Sequence, residues 1–233
     1  MIEEILLLSD PALIDDLDAV LVQANPRLVV THILTRAQLD ERCARPLGKT
    51  RLLSFGSEII VPAEILCRLG GGAYNFHPGP PTHPGRFPST FFIYEGGKMF
   101  GSTVHEMSPK VDSGPIHAVD WFEVPPGVDC VTLNTMSYRS LLAMFKRLAP
   151  QLATREEPLS HSTEVWSGRT TTQQDFNDLC RLPSDVSEEE FQRRYRAVGE
   201  GPDHALEIVV HGHRFSLNNQ HANPDVKVGG KKR

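Results

Sequence analysis

The chain has 233 residues and a formal net charge of −5, from 24 Lys and Arg against 29 Asp and Glu. Hydrophobic residues make up 39% and charged residues 23%, which predicts a globular protein of one main domain with a small appendage. The acidic balance argues against a nucleic-acid partner, and no apolar run approaches the ~20 residues that a membrane-spanning helix needs, so no membrane partner is expected.

The four cysteines indicate a reducing compartment. Cys43, Cys67, Cys130 and Cys180 form no CxxC pair and show no matched spacing, which argues against a zinc ribbon and against a disulfide framework. Residues 1–9 lack the basic segment and cleavage site of a signal peptide. We therefore expect a cytoplasmic protein.

The first half of the chain alternates strand-like and helix-like segments. Strands are predicted at residues 5–8, 28–33, 51–55 and 73–77, the first two of them buried, and helices at residues 11–22, 35–43 and 62–69. Asp10 is the expected cap of the first helix, and Thr35 and Gln38 match the Ser/Thr-x-x-Glu/Gln capping pattern of the second. This alternation is the signature of a Rossmann-like, doubly wound α/β sheet that is mostly parallel. Because residues 9–12 after the first strand are not GxGxxG, a dinucleotide cofactor is disfavoured.

A rigid loop follows the fourth strand. Residues 75–88 contain five prolines and two glycines, and they lie where open α/β sheets bind their ligands. Further along, the pattern predicts a helix at 89–94, strands at 98–106 and 116–124, a helix at 132–148, a polar loop at 154–172, a helix at 187–198 and a hairpin around residues 211–212. The predicted organisation is a catalytic core at 1–150, a linker at 151–184, a small αβ appendage at 185–219 and a disordered tail at 220–233.

Three polar residues form a candidate centre for acyl chemistry. Asn75 and His77 are two apart at a strand end, so their side chains share one side, where an amide and an imidazole can polarise a carbonyl oxygen. A nearby carboxylate such as Asp112 could fix the imidazole tautomer and move a proton. The alternative is a purely structural role, in which the histidine packs in its loop and Asp112 is a turn former.

A zinc site is a second alternative for this region. Its ligands would be His77, His83, His105 and Asp112, but no HExxH or other close-spaced pair of ligands supports it. We therefore predict no metal site.

Four motifs in order give residues 54–150 a family resemblance. They are Asn75-Phe76-His77, His83-Pro84-Gly85, Gly101-Ser102-Thr103-Val104-His105 and Asp112-Ser113-Gly114-Pro115-Ile116. Together they resemble the catalytic domain of the formyltetrahydrofolate-dependent formyltransferases. The resemblance implies transfer of a formyl group from 10-formyltetrahydrofolate, as co-substrate, to an amine.

The resemblance also implies roles for individual residues. Asn75 and His77 would stabilise the oxyanion, and Asp112 would orient His77 and relay protons. Gly101 and Thr103 would be structural. The residues expected to bind the folate are Phe55, Gly56, Ile59, Ile60, Val111 and Asp112. For the apolar members, plain core packing is the alternative.

The acceptor is predicted from the tail of the chain. Only about 70 residues follow the core and the charge is negative, which disfavours tRNA. The helix and hairpin resemble the appendage of the nucleotide-sugar N-formyltransferases, in which such elements help to form dimers. We therefore expect a nucleotide-linked amino sugar as acceptor and a homodimer.

The alternatives are a formyltetrahydrofolate hydrolase, a methionyl-tRNA-type formyltransferase and a catalytically silent folate-binding protein. The proline-rich loop and the shortened segment before Asn75 depart from the family's usual form.

Overall fold

A computed structural model describes residues 1–199 and 205–217 of the chain. Its larger sheet has six strands in the spatial order β2-β1-β3-β4-β5-β6. In chain order they are β1 (Glu4–Ser9), β2 (Val29–Ile33), β3 (Thr50–Phe55), β4 (Ala73–His77), β5 (Met99–Glu106) and β6 (Ile116–Glu123). The first four are parallel, and β5 and β6 are added antiparallel. The predicted Rossmann-like, mostly parallel fold is confirmed.

Seven helices lie in the described part of the chain. They are α1 (Pro11–Ala24), α2 (Arg36–Cys43), α3 (Ala63–Leu66), α4 (Pro88–Glu95), α5 (Cys130–Thr154), α6 (Gln173–Cys180) and α7 (Glu188–Val198). The start signals in the sequence work as predicted at two of them. The Asp10 side chain accepts the N–H of Ala12 at the start of α1, and Thr35 and Gln38 form a reciprocal capping box at the start of α2.

The core lies on both faces of the sheet. Successive side chains of a strand point to opposite faces, so Ile5 and Leu7 of β1 pack with α1 and α5, whereas Leu6 and Leu8 pack with α2 and α3. This two-sided burial explains the unbroken apolar run of β1, because a strand covered on both faces cannot alternate with polar residues.

Three elements differ from the sequence prediction. β2 was expected to be buried but is an edge strand, with Val29 59% exposed. α3 is shorter than the predicted helix over residues 62–69. α5 is longer than predicted and continues through Pro150, because the buried side chains of Leu152 and Ala153 hold its last turn against the sheet.

The C-terminal part contains elements that the sequence did not predict. α6 begins at a capping box of Thr172 and Asp175, inside the segment predicted to be a linker. β7 (Arg181–Leu182) pairs with the predicted hairpin, which is formed by β8 (Glu207–Val210) and β9 (His213–Ser216). The division of the chain into domains stays a prediction, and the tail predicted at 220–233 lies outside the described residues.

A buried arginine ties the end of α5 to the sheet. Arg51 of β3 is 1% exposed and donates to the carbonyl oxygens of Gly71 and Leu152, each at 2.6 Å. Its guanidinium also lies over the ring of Tyr74, 5.5 Å from the centroid. Carbonyls at a helix C-terminus carry partial negative charge, so a cation placed here is stabilising.

Two further observations concern the environment of the chain. Among the helices that the structure describes, none is both long and apolar enough to cross a bilayer. All four cysteines are free thiols. The expected cytoplasmic location stays a prediction.

Candidate active site

Asn75 and His77 project from the carboxyl end of β4 on one face of the sheet. Tyr74 and Phe76, which alternate with them, pack in the core on the other face. The antiparallel neighbour β5 places His105 opposite Asn75. Sheet geometry therefore brings an amide and two imidazoles together at one strand end.

Asp112 reaches this cluster from the loop between β5 and β6. Its Oδ2 accepts the backbone N–H of Gly85 at 2.7 Å and lies 3.3 Å from His77 Nδ1, while Oδ1 lies 3.1 Å from His105 Nε2. The backbone of Asp112 is in the left-handed region, with φ of 44°. A non-glycine residue adopts this conformation at a cost of about 1 kcal/mol, which the side-chain contacts offset.

The surroundings of Asp112 keep its carboxyl group ionised. Burial alone would raise its pKa, but the imidazoles of His77 and His105 and the N–H of Gly85 outweigh burial and hold the pKa well below its usual range. The site therefore contains a fixed negative charge at neutral pH.

His77 is held between two acceptors. Its Nδ1 faces Asp112, and its Nε2 lies 3.1 Å from the carbonyl oxygen of His83. Burial lowers the pKa of His77, and the Asp112 carboxylate opposes that shift. A neutral ring donates Nδ1–H to the carboxylate, which is the stronger acceptor. Its Nε2 can then take up a proton, and the imidazolium that forms would satisfy both contacts.

His105 orients the amide of Asn75. Nδ1–H of His105 donates to the carbonyl oxygen of Glu106 at 2.8 Å. Its Nε2 lies 3.1 Å from Asp112 Oδ1 and 3.2 Å from Asn75 Nδ2, so the ring holds the amide beside the carboxylate. An N–H of Asn75 stays available to a substrate oxygen.

Hydroxyl groups hold the proline-rich loop beside the trio. Thr103 donates to the carbonyl oxygen of Gly79 at 2.7 Å, and Ser137 of α5 donates to that of Pro78 at 2.8 Å. A Cβ at Gly79 would come within 2.6 Å of His77 Nε2, so only glycine fits against the imidazole. The proline-rich loop is therefore held by β5 and α5 and packs directly against the imidazole of His77.

The segment between α5 and α6 closes the site from outside. Trp166 donates its Nε1–H to the carbonyl oxygen of Gly114 at 2.8 Å, and its ring contacts His77 and His105 edge-on, at centroid distances of 5.9 and 5.0 Å. Thr171 pairs with the proline-rich loop in both directions, since its N–H donates to Pro84 and its carbonyl accepts from Arg86. What the sequence predicted to be a polar linker forms one wall of the site.

Two cavities meet at the trio. The larger, of about 480 Å³, is lined by Asn75, His77 and Asp112 together with Arg86, Tyr138 and residues 170–173. The smaller, of about 90 Å³, is lined by Asn75, His105 and Asp112 with apolar side chains from residues 59–61 and 107–111. Both include Asn75 and Asp112, so a group placed between these two side chains is accessible from either cavity.

Five of the six residues expected to bind the folate line these cavities. Gly56, Ile60, Val111 and Asp112 line the larger one, and Ile59 lines the smaller. The sixth, Phe55, is in the core, where its ring contacts Phe76 and Phe145. Phe55 lines a third, apolar cavity of about 470 Å³ between α1 and α5, which adjoins the larger one at Asn134 and Tyr138. Its position supports the strand end from the core side.

The four ligands of the alternative zinc site are not all brought together. His77, His105 and Asp112 cluster, but the ring of His83 turns towards Glu95, with Nε2 3.0 Å from the carboxylate. Burial lowers the pKa of His83, and Glu95 opposes that shift.

Several residues of the site were not assigned a role in formyl transfer from the sequence. His105 belongs to the Gly-x-Thr-x-His motif, and that motif was the signal that could have marked it. Trp166, Thr171 and the backbone N–H of Gly85 reach the site through tertiary folding, for which local spacing gives no signal.

Comparison with known proteins identifies the fold. No protein-family model matches the chain. A dTDP-4-amino-4,6-dideoxyglucose formyltransferase from Mycobacterium bovis is 29% identical over 175 residues, which cover 70% of this chain and 69% of that protein. A methionyl-tRNA formyltransferase from Lactobacillus acidophilus is 26% identical over 161 residues, 67% of this chain; the chain spans only about half, 49%, of that relative's length.

Solved structures cover almost the whole chain. A 4-N formyltransferase from Francisella tularensis superimposes with a TM-score of 0.77 at 18% identity, covering 93% of this chain and 97% of that one. An N-formyltransferase from Helicobacter canadensis, solved with folinic acid and dTDP-3-aminofucose, gives a TM-score of 0.64 at 15% identity, over 91% and 85% of the two chains. The chain has the formyltransferase fold. The resemblance to the formyltransferases inferred from four motifs is confirmed, and the predicted C-terminal appendage of helix and hairpin is present.

Proposed function

We propose that this protein is an N-formyltransferase that moves a formyl group from 10-formyltetrahydrofolate to the amine of a nucleotide-linked amino sugar. The observation that carries the proposal is the arrangement of Asn75, His77 and Asp112 where two cavities meet. The relatives named above support it, because they include formyltransferases that act on dTDP-linked amino sugars. A reaction between two substrates needs two binding spaces that share one reacting point.

The folate donor is assigned to the smaller cavity and the adjoining part of the larger one. The side chains of Ile59, Ile60 and Val111 offer apolar surface for a flat ring, and the backbone around Val111 and Asp112 offers hydrogen-bonding groups at its edge. Gly56 lines the larger cavity beside the side chain of Tyr138. The donor's formyl group would then lie beside Asn75.

The acceptor is assigned to the opposite side of the larger cavity. This side is formed by Arg86, Phe87, Tyr138 and residues 170–173. Among these lining residues Arg86 is the guanidinium, and its side chain is exposed beside Glu58. A guanidinium suits the phosphate groups of a nucleotide, so Arg86 is proposed to contact the acceptor's diphosphate.

The proposed reaction needs no covalent enzyme intermediate. The acceptor nitrogen bonds to the formyl carbon, and the carbonyl electron pair moves onto oxygen. The free N–H of Asn75 stabilises this oxyanion, a contribution on the order of 3–4 kcal/mol to the barrier. His77 accepts the amine proton at Nε2, and the Asp112 carboxylate stabilises the imidazolium that forms. Collapse breaks the bond to N10 of tetrahydrofolate, and His77 returns the proton to that nitrogen.

Release of tetrahydrofolate tests the proposed function. Protein and 10-formyltetrahydrofolate are mixed without amine and then with dTDP-4-amino-4,6-dideoxyglucose, dTDP-3-aminofucose and other nucleotide-linked amino sugars. Release that depends on one amine is expected, and His77→Ala should abolish it while His213→Ala, at an exposed hairpin position, leaves it unchanged. Amine-independent release would indicate a hydrolase, and binding of folate without turnover would indicate a silent binder. Either result contradicts the proposal.

A further inference from the structure

Three potential metal ligands converge outside the catalytic trio. Glu106 ends β5, His117 lies in β6, and His161 lies in the segment between α5 and α6. One carboxylate oxygen and one nitrogen from each imidazole all lie within 4.8 Å of one another. The rings of His117 and His161 have centroids 5.0 Å apart. None of these residues takes part in the proposed formyl transfer.

The hydrogen bonding of His117 prepares its other nitrogen for a metal. Nδ1 lies 3.1 Å from the carbonyl oxygen of Ser160, so Nδ1–H donates there and the lone pair is on Nε2. His117 is 9% exposed, and its Nε2 is buried without a hydrogen-bond partner among the described residues. A histidine whose first nitrogen donates to a backbone carbonyl while the second carries the free lone pair is the usual arrangement of a metal ligand.

Backbone contacts on both sides of His161 fix its place. The carbonyl oxygen of Ser160 accepts from His117, and the N–H of Ser162 donates to the carbonyl oxygen of Ile116 at 2.8 Å. Two residues before His161, the N–H of Leu159 donates to the hydroxyl of Tyr74. His161 is therefore held beside β6 while its ring remains exposed and free to turn.

We propose that Glu106, His117 and His161 bind one Zn²⁺ ion, with water as the fourth ligand. Two imidazoles and a carboxylate favour zinc over magnesium or calcium, which prefer oxygen ligands alone. Zinc holds such ligands at about 2.0–2.2 Å, so the ligand atoms must approach to roughly 3.3 Å from one another. Rotation of the exposed His161 ring and of the Glu106 side chain provides that movement.

The proposed ion has a structural consequence for the active site. It links the segment between α5 and α6 to β5 and β6, and this segment also carries Trp166 and Thr171. The carbonyl oxygen of Glu106 accepts a hydrogen bond from His105, so one of the proposed metal ligands is hydrogen-bonded to the catalytic cluster. We infer that the ion fixes this wall of the site and does not touch the reacting atoms.

Zinc binding is measured on untagged, chelator-treated protein. The protein competes for Zn²⁺ with a chromophoric chelator, and one equivalent is expected to bind. His161→Ala and His117→Ala should each weaken binding at least about tenfold. His213→Ala and Cys67→Ser, which change an exposed histidine and an exposed thiol, should leave it unchanged. Because His161 is exposed, its variant keeps the test valid even if His117→Ala does not fold.

Proteolysis gives a second readout that is independent of activity. Trypsin can cut after Arg155 and Arg169, both exposed and on either side of His161. Zn²⁺ should slow these cuts in the wild type and leave them unchanged in His161→Ala. The proposal is overturned if no equivalent of Zn²⁺ binds, if binding survives both histidine substitutions, or if Cys67→Ser abolishes it. None of these results bears on formyl transfer, so the two proposals fail separately.

Discussion

Asp112 concentrates several effects in one side chain, because it accepts from a backbone N–H and faces two imidazoles in a buried position. A carboxylate with these partners stays ionised, and it fixes which nitrogen of His77 carries the proton. His105 acts at one remove, through its contacts with Asn75 and Asp112. Each side chain of the cluster thus has its orientation set by another.

The burial of His77 predicts a pH dependence of stability. Its pKa is lowered in the folded protein, so the unfolded chain takes up a proton first as the pH falls through about 6.5. The free energy of unfolding should therefore decrease on acidification from pH 7 to 5.5, by at most about 1.4 kcal/mol per pH unit from this residue. Measured by urea unfolding at both pH values, the free energy of unfolding should change less with pH in His77→Gln than in the wild type. An equal change in the two proteins would contradict this prediction.

Arg86 is predicted to affect acceptor binding more than chemistry. Arg86→Gln removes the charge but keeps the backbone N–H that donates to Thr171. The KM for the nucleotide-linked sugar should rise about tenfold, equivalent to ~1.4 kcal/mol, with kcat nearly unchanged. Arg169→Gln is the matched control, since Arg169 is exposed nearby and pairs with Asp175. An unchanged KM in Arg86→Gln would refute the proposed diphosphate contact.

At the scale of elements, the segment between α5 and α6 supports the catalytic cluster from outside. Trp166→Ala removes both the hydrogen bond to Gly114 and the edge contacts with His77 and His105. We expect kcat to fall about ten- to a hundredfold, because small displacements of reacting groups are costly. The kcat of Trp166→Phe should fall less, and that of Val165→Ala, at a 72% exposed position, should not change. Wild-type kcat in Trp166→Ala would show that this wall has no role in positioning.

Arg51 is predicted to stabilise the contact between α5 and the sheet. Arg51→Met leaves the carbonyls of Gly71 and Leu152 without their charged donor, at a cost of about 3 kcal/mol. Arg147→Met, which breaks an exposed ion pair with Asp120, should cost under about 1 kcal/mol. Urea unfolding gives the free energy of unfolding of both variants. Equal losses of stability would contradict the larger role assigned to the buried arginine.

The elements also show what could be predicted from sequence and why. Strands β1, β3 and β4 and the caps of α1 and α2 are set by local patterns, and each was predicted to within two residues. α6 was missed because it has only eight residues, mostly polar, with apolar side chains limited to Phe176, Leu179 and Cys180. Its position depends on contacts such as the stacking of Phe176 on Phe87. The exposure of β2 depends on its place at the sheet edge, which periodicity does not encode.

At the scale of the whole molecule, the site is assembled from distant parts of the chain. Asn75, His77 and Asp112 could be named from motifs, whereas Trp166 and Thr171 could not, because their approach depends on how the C-terminal segment returns over the core. The cluster of Glu106, His117 and His161 was missed for the same reason, since its ligands are spread over 56 positions of sequence. The expected homodimer stays a prediction, which sedimentation equilibrium would test.

Transfer of labelled carbon to the acceptor is a direct test of the proposed formyl transfer. 10-Formyltetrahydrofolate carrying ¹³C in the formyl group is incubated with the protein and dTDP-4-amino-4,6-dideoxyglucose, and the products are examined by NMR. We expect a ¹³C formamide on the sugar nitrogen, formed by the wild type and not by His77→Ala. Label found only as formate, or retained on the folate with every amino sugar tried, would contradict it.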